Sequence, residues 1–460
     1  MNKYHHFQNL SSKVLIILVS TTVTFISFFL ISKDIRIAEL NNDFWLSILL
    51  LPVVLTCFHY RQKLSSQQVS MLIGIMVGGI LLISLSIISV MKANIANPPE
   101  WDFLGFWLNG KVAVQGLNFY QPDYARQLAI PFHPSSEFTK EIIDVGFWYP
   151  PPSIFIFLPL GWFDIHTAYL LWYVGHSITL LADIFLLWKI FLGESKFIGL
   201  LFTAVLLLTI NAKSTIDFGQ TNFLLLLMFL LFWRDRNLTR GGIWLALGII
   251  VKPLLGGAFL YLLLRKKWRI IITAIITLSA ISFLTMGVFG TETFFSYFNP
   301  SHYASLPKFI YTEISNQSLL ATILRFTKYD LSNTSPITNP IFVVIATIIT
   351  GITIWLVIRL DKRQNDLALS LIIVLSLLVY PVTQMFYCII LIVPVLLLWK
   401  YRLQTQLKIW ILVAIVTLEY VMVNYSYGNY TFYADLLTWL ILAGISFRLS
   451  QKSITLSIDQ

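Results

Sequence analysis

Apolar runs of bilayer-crossing length alternate with short polar breaks from one end of the chain to the other. A transmembrane helix needs roughly 20 predominantly apolar residues. On that criterion spans are predicted near 14–32, 44–60, 69–91, 167–188, 197–211, 220–233, 241–251, 254–264, 270–289, 340–358, 367–380, 382–399, 408–424 and 433–447. Lys252-Pro253 interrupts one stretch, leaving either two short helices or one kinked one. Pro150–Phe163 is apolar but contains Pro150, Pro151, Pro152 and Pro159, so it reads as a re-entrant or interfacial piece rather than a span. Two long stretches carry no span, about 92–166 and 290–339. The pattern predicts an all-α polytopic membrane protein, a multi-span helical bundle with two long loops on one side.

Composition agrees. The chain is 57% hydrophobic and 12% charged, about half the charged share of soluble domains, and no polar stretch is long enough for a separate soluble domain. Met1–Lys13 is polar and leads into the first span without a small-residue cleavage site, which predicts a retained helix. Cys57 and Cys388 both sit in apolar runs, so no disulfide framework is implied. The net charge of +10 is scattered over short loops, which argues against a nucleic-acid partner. Its distribution instead encodes orientation. Basic residues crowd into alternate loops: Arg61/Lys63, Lys189/Lys196, Arg234/Arg236/Arg240, Arg265/Lys266/Lys267/Arg269, Arg359/Lys362/Arg363 and Lys400/Arg402/Lys408. The positive-inside rule makes these loops cytoplasmic. Both chain ends are then inside and both long loops, 92–166 and 290–339, outside. Their wealth of Trp, Tyr, Phe and Pro argues against disorder, so function is to be sought on the outer face of a cell (inner) membrane.

The first long loop opens on Glu100-Trp101-Asp102. Phe103, Phe106, Trp107, Gly110 and Val114 recur at helical spacing and predict a short helix over 103–115, stopped by Gly116. Gly105 to Gly110-Lys111 has the glycine spacing of a phosphate loop. Val112 replaces the required Ser or Thr, however, and no strand precedes, so that reading fails. Asp102 stands where the helix dipole favours an ionised carboxylate. It is open to two readings, a helix cap or a general base at the membrane surface. Lys252, among apolar neighbours at a helix break, is a cation suited to a lipid phosphate. Further polar residues gather at outer helix ends: Asp217-Phe-Gly219-Gln220-Thr221-Asn222, and Asn316-Gln317-Ser318-Leu319 followed by Arg325. Capping explains them equally well. No Asp-x-Asp pair, metal-ligand spacing or nucleophile elbow occurs. His5 and His6 are terminal. His133, His166 and His302 are scattered on the outer side, and each alone reads as structural.

Asp102-Phe103, Gly116, Tyr120, Tyr149-Pro150-Pro151, Gly219-Gln220-Thr221-Asn222, Lys252-Pro253, and Asn316-Gln317-Ser318-Leu319 with Arg325 follow one another in the order seen in glycosyltransferase family 87. Over roughly residues 69–400 the chain resembles these polyprenol-phosphate-mannose-dependent mannosyltransferases of the GT-C superfamily. The resemblance implies a GT-C-like catalytic unit over 69–400. It is preceded by a cytoplasmic N-terminus and two extra helices (1–68) and followed by C-terminal helices and a cytoplasmic tail (401–460). It implies inverting transfer of a hexose, mannose in the family, from a polyprenyl-phosphate sugar to a glycolipid or envelope-glycan acceptor, with no metal or other cofactor. Asp102 takes the place of the base, with Glu100 as the neighbouring alternative. Lys252, Arg325, Gln220, Asn222, Asn316 and Gln317 are the implied donor and phosphate contacts. Tyr120, Tyr149, Glu100 and His302 are the implied cavity lining.

One departure concerns the late Pro motif. The family often has a His shortly after it, whereas the segment here reads Tyr380-Pro381-Val382-Thr383-Gln384-Met385-Phe386-Tyr387, with Phe386 at the expected His position. Gln384, Tyr387 or His302 are the candidates to replace it. The competing reading is a transporter or flippase of lipid-linked saccharides. It predicts internal repeats and charges deep in spans; no repeat is visible, and the charges concentrate at the rim.

Overall fold

The computed structural model of the chain describes residues 54, 58–98, 102–132, 143–144, 146–193, 196–209, 212–299, 308–328, 336–405, 407–423 and 429–458. The predicted span 14–32, most of 44–60, and His5, His6, Cys57, Glu100, His133 and His302 lie outside the described residues. Within them the architecture is all helical, and the one extended pairing is an antiparallel bridge between Asn316 and Gln384.

Among the described residues five helical stretches are long and apolar enough to cross a membrane: Ile165–Phe191, Trp268–Phe289, Pro340–Arg359, Met385–Arg402 and Tyr430–Gln451. The first two are 22% buried and Met385–Arg402 is 78% buried, so the last forms the bundle axis while the others turn apolar surface outward. Shorter apolar helices such as Gly241–Val251 fill the spaces between. Local sequence sets their starts. Ser65 and Gln68 form a reciprocal capping box before Ser66–Ala96. Asp164 caps Ile165–Phe191, and Asn339 with Pro340 opens Pro340–Arg359.

Two local expectations change. The predicted helix 254–264 begins as a 3-10 turn, Pro253–Gly257, and is α-helical only over Ala258–Leu264; Pro253 contributes no N–H there, and Gly256-Gly257 is a weak helix former. The loop helix forms over Asp102–Val114 rather than 103–115, so Asp102 is its first residue rather than the residue before it.

The described residues form two cores. The bundle core is mainly aliphatic and runs through residues such as Leu226, Leu371 and Leu397. A second core surrounds the helix Asp102–Val114 and is largely aromatic, with Phe103, Phe106, Trp107, Phe119, Phe147 and Phe157 fully or almost fully buried. The Pro-rich stretch folds into short turns: Pro151–Ser153 meets the helices Trp268–Phe289 and Gly241–Val251, while Ile154–Phe157 and Leu158–Trp162 lie against Asp102–Val114. Gly110 and Gly161 meet backbone to backbone there. A Cβ on Gly110 would collide with the Phe157 carbonyl, and one on Gly161 with the Gly110 carbonyl.

Candidate active site

The site is built on the turn after the short helix Ala212–Asp217. Gly219 has φ +67°, a conformation natural to glycine. The turn is closed by Gly219 N–H to the Ile216 carbonyl (3.0 Å) and Gln220 N–H to the Thr215 carbonyl (2.8 Å). The loop helix docks directly onto it: Phe103 N–H donates to the Phe218 carbonyl (3.2 Å). A Cβ on Gly219 would lie 2.6 Å from that of Phe103, so glycine allows both the turn and the approach. From the other side, helix Ile165–Phe191 grips the same turn. Trp172 Nε1 donates to the Gly219 carbonyl (2.8 Å), and His176 Nε2 lies 2.6 Å from the Gln220 carbonyl.

Lys252 follows helix Gly241–Val251 and is 2% exposed. Its ammonium donates to Gln220 Oε1 (3.0 Å) and Asn222 Oδ1 (2.8 Å) and stands 3.5 Å from the centre of the Tyr387 ring. Two of its three N–H donors are thus committed to amides, and cation–π attraction to Tyr387 adds to its hold. Because Gln220 turns its oxygen to Lys252, its NH₂ is left for Asp102, with which it forms a side-chain hydrogen bond. Asn222, fully buried, donates in turn to Thr215 Oγ1 (3.2 Å). The result is a short polar chain from carboxylate to ammonium. Burial pushes the Asp102 carboxyl up to about 6, against the opposing pull of the Gln220 hydrogen bond and the Lys252 charge. Burial also raises the Tyr149 hydroxyl, with the Asp102 charge adding to the effect, so it stays a neutral phenol.

Asp102, Gln220, Lys252 and Tyr149 share a cavity of about 360 Å³. Aromatic residues including Trp148, Phe218, Tyr297, Tyr380, Phe386 and Tyr387 make up much of its wall, and Glu313, Ser315 and Gln384 add polar groups. This is a ligand-sized concavity with few convergent polar groups, the usual form of a substrate site. Among the described residues no three His, Cys, Asp or Glu side chains converge as a metal site.

The other predicted residues lie around the cavity rather than on it. Tyr120 donates its hydroxyl to the Tyr149 carbonyl (2.6 Å) and so holds the cavity-lining Tyr149 from behind. Asn316 donates to the Ile310 and Pro381 carbonyls (3.0 Å each). Gln317 N–H and Met385 N–H donate to the Thr383 and Ser315 carbonyls (2.7 Å each), stitching the second loop to the late Pro segment. Gln317 Oε1 accepts from Phe432 N–H (3.2 Å). Arg325 donates to Asn429 Oδ1 (2.9 Å) and to the Glu313 carbonyl (2.7 Å). It therefore anchors the loop that carries Glu313 and does not line the cavity.

Sequence reasoning did not single out Trp148, Glu313, Tyr297, Trp172 or His176. Only His176 carried a usable signal, a polar ring inside an apolar span.

Comparison with known proteins supplies one match. The family described as Glycosyltransferase family 87 matches residues 147–381. That interval contains Tyr149, Gln220, Asn222, Lys252, Asn316, Gln317 and Arg325; Asp102 precedes it and Gln384, Phe386 and Tyr387 follow it. No curated protein and no solved structure matches.

Proposed function

The chain belongs to glycosyltransferase family 87 and is a membrane glycosyltransferase; from that premise we propose that it transfers a hexose, mannose by family likeness, from a polyprenyl-phosphate sugar to a lipid-linked or envelope-glycan acceptor on the outer face of the cell membrane. The reaction inverts the anomeric centre and uses no metal. The acceptor oxygen forms a bond to the anomeric carbon as the bond from that carbon to the phosphate oxygen breaks. The acceptor proton passes to Asp102, and the electron pair leaves with polyprenyl phosphate. The remaining N–H of Lys252 and its charge act on the departing phosphate, where preformed charge is most effective. Gln220 holds base and cation in register. Phe386 offers the donor a ring face where the family often has an imidazole, and Gln384 or Tyr387 supplies the polar contact.

The observation that carries this reading is the pairing of Asp102 and Lys252 through one amide at the wall of one cavity. The experiment is sugar transfer in reconstituted vesicles carrying a polyprenyl-phosphate hexose, scored beside movement of the intact donor lipid across the bilayer. Transfer that disappears in Asp102→Asn supports the proposal. Movement of intact lipid without transfer replaces it with a flippase.

A further inference from the structure

Helices Asn222–Asp235 and Gly241–Val251 each have one end at the site, near Gln220 and Lys252, so the segment joining them lies at the opposite end of the bundle. Ala258–Leu264 returns from Pro253 to the same end and delivers Arg265-Lys266-Lys267-Trp268-Arg269 there. Asn237, Lys266, Lys267, Trp268, Arg269 and Ile270 enclose an open depression of about 410 Å³. Among the described residues no carboxylate lines it. The acids in the surrounding segments are engaged elsewhere: Asp235 with Arg234 and Arg240, and Asp366 with Arg236.

Its three cations differ. Lys267 is fixed, with its ammonium donating to the Arg236 carbonyl (3.0 Å), Asn237 Oδ1 (2.6 Å) and the Tyr261 hydroxyl (2.8 Å). Lys266 and Arg269 are exposed, and their side chains make no hydrogen bond or ion pair among the described residues. Lys266 also occupies a left-handed backbone position, φ +54°, at the end of Ala258–Leu264, where Lys267 N–H returns to the Leu262 carbonyl (2.9 Å). Glycine is the usual residue in such a cap. Trp268 is 55% exposed and begins the span Trp268–Phe289; an exposed Trp at the start of a span marks the headgroup level.

We propose that this depression binds the phosphate of an anionic phospholipid in the leaflet opposite the catalytic cavity. Lys266 and Arg269 reach the phosphate oxygens, the fixed Lys267 charge stands behind them, and Trp268 packs against the glycerol and the first acyl carbons. A soluble anion would need only the cations. The interfacial Trp and the open side at headgroup depth favour a lipid. Charges that serve orientation alone act by number, whereas a binding site depends on place.

The test places the whole protein in nanodiscs of phosphatidylcholine with and without phosphatidylglycerol and reads retained lipid by native mass spectrometry. The test variant is Lys266→Gly with Arg269→Gln. The control is Lys362→Gln with Arg363→Gln, which removes the same charge from another loop at this end of the bundle. The wild type and the control are expected to retain phosphatidylglycerol over phosphatidylcholine, and the test variant to lose roughly 30-fold of that preference, as two interfacial cations would supply. Lys266→Gly relieves the left-handed backbone, so melting in pure phosphatidylcholine should not fall. If the double variant folds poorly, Arg269→Gln alone, a solvent-facing change, is expected to lose several-fold. Equal loss in test and control, or no loss in either, overturns the proposal. Displacement of the lipid by millimolar glycerol phosphate would assign the site to a soluble anion and also overturn it.

Discussion

The two ends of helix Asn222–Asp235 treat buried charge in opposite ways. At one end Lys252 is held by neutral amides and an aromatic face, with its nearest carboxylate reached through Gln220. At the other, Asp235 is held by Arg234, Arg240 and Trp244, and Arg236 pairs with Asp366. Direct guanidinium contact, first of all from Arg234, holds the Asp235 carboxyl down to about 2, while burial lifts Asp102 to about 6. Ion pairs that satisfy each other fix a fold but leave nothing for a substrate. In the proposed reaction, a cation and a carboxylate kept apart by one amide would hold both charges ready for a phosphate and a proton.

That contrast can be broken first at the base. Asp102→Asn keeps the side-chain size and the helix-starting ability of Asp but accepts no proton. Turnover is expected to fall by about 10²–10⁴-fold, with donor binding and melting temperature unchanged, measured by radiolabelled transfer and differential scanning fluorimetry. Near-normal turnover would leave Asp102 a helix-starting residue only.

Moving the base without altering it is the next largest effect. Gly219→Ala forces a Cβ against Phe103 and strains a left-handed turn. A displacement of the loop helix by about 1 Å is expected to lower kcat by roughly 10²-fold. Adding Phe103→Gly, which removes the opposing Cβ, should recover part of the activity, whereas Phe103→Ala, which keeps it, should not; a chemical role for Gly219 would not predict that difference.

Lys252→Ala tests the other partner. Losing a charge-assisted contact to phosphate is worth about 2–3 kcal/mol, which should appear as a weakened dependence on lipid donor with the acceptor KM little changed. Arg325→Ala should instead act through the loop it anchors at Asn429 and Glu313, weakening donor and acceptor together. Equal, donor-only defects in both variants would mean that Arg325 reaches the cavity in the complex.

The opposite end should behave otherwise. Asp235→Ala is expected to cost about 1–3 kcal/mol of stability, seen as a lower melting temperature, while turnover per folded molecule stays near wild type. The Asp235 contribution is present above the ordinary carboxylate range, about 4. It is lost as pH falls through about 2.

The smallest effect is a pH shift. A base that must be ionised gives a rate that rises with pH through its pKa, so kcat/KM should climb through about pH 6. Gln220→Leu removes a hydrogen bond that favours the ionised carboxylate, so this limb should move to higher pH. A limb unmoved in Gln220→Leu would separate the amide from the base.

The helices were legible because hydrophobicity over a bilayer's thickness is a local signal. The predicted spans 241–251, 340–358 and 408–424 fall within a residue or so of the observed Gly241–Val251, Pro340–Arg359 and Ile409–Val423. At the site, Gln220 and Lys252 were legible because polar residues in apolar surroundings declare themselves. Their connection was not, since 32 positions separate Gln220 from Lys252. Trp148 and Tyr297 looked like ordinary interfacial aromatics, and nothing local tells an aromatic in a cavity wall from one in lipid. Asn316 and Gln317 illustrate the converse. They read as ligand contacts, yet their buried amides close backbone gaps between two distant loops, a need that appears only once the chain is folded.

The contact between Gly110 and Gly161 bears on how this protein can drift. Both glycines are hemmed in by main chain: a methyl group at Gly110 meets the Phe157 carbonyl and one at Gly161 meets the Gly110 carbonyl, atoms that no rotamer change can move aside. A substitution at one site therefore finds no remedy at its partner, which has nothing left to give up. The pair is an evolutionary dead end in both directions. The aromatic core around the loop helix can change by rebuilding its filling around that fixed seam, but the seam itself stays closed to single steps.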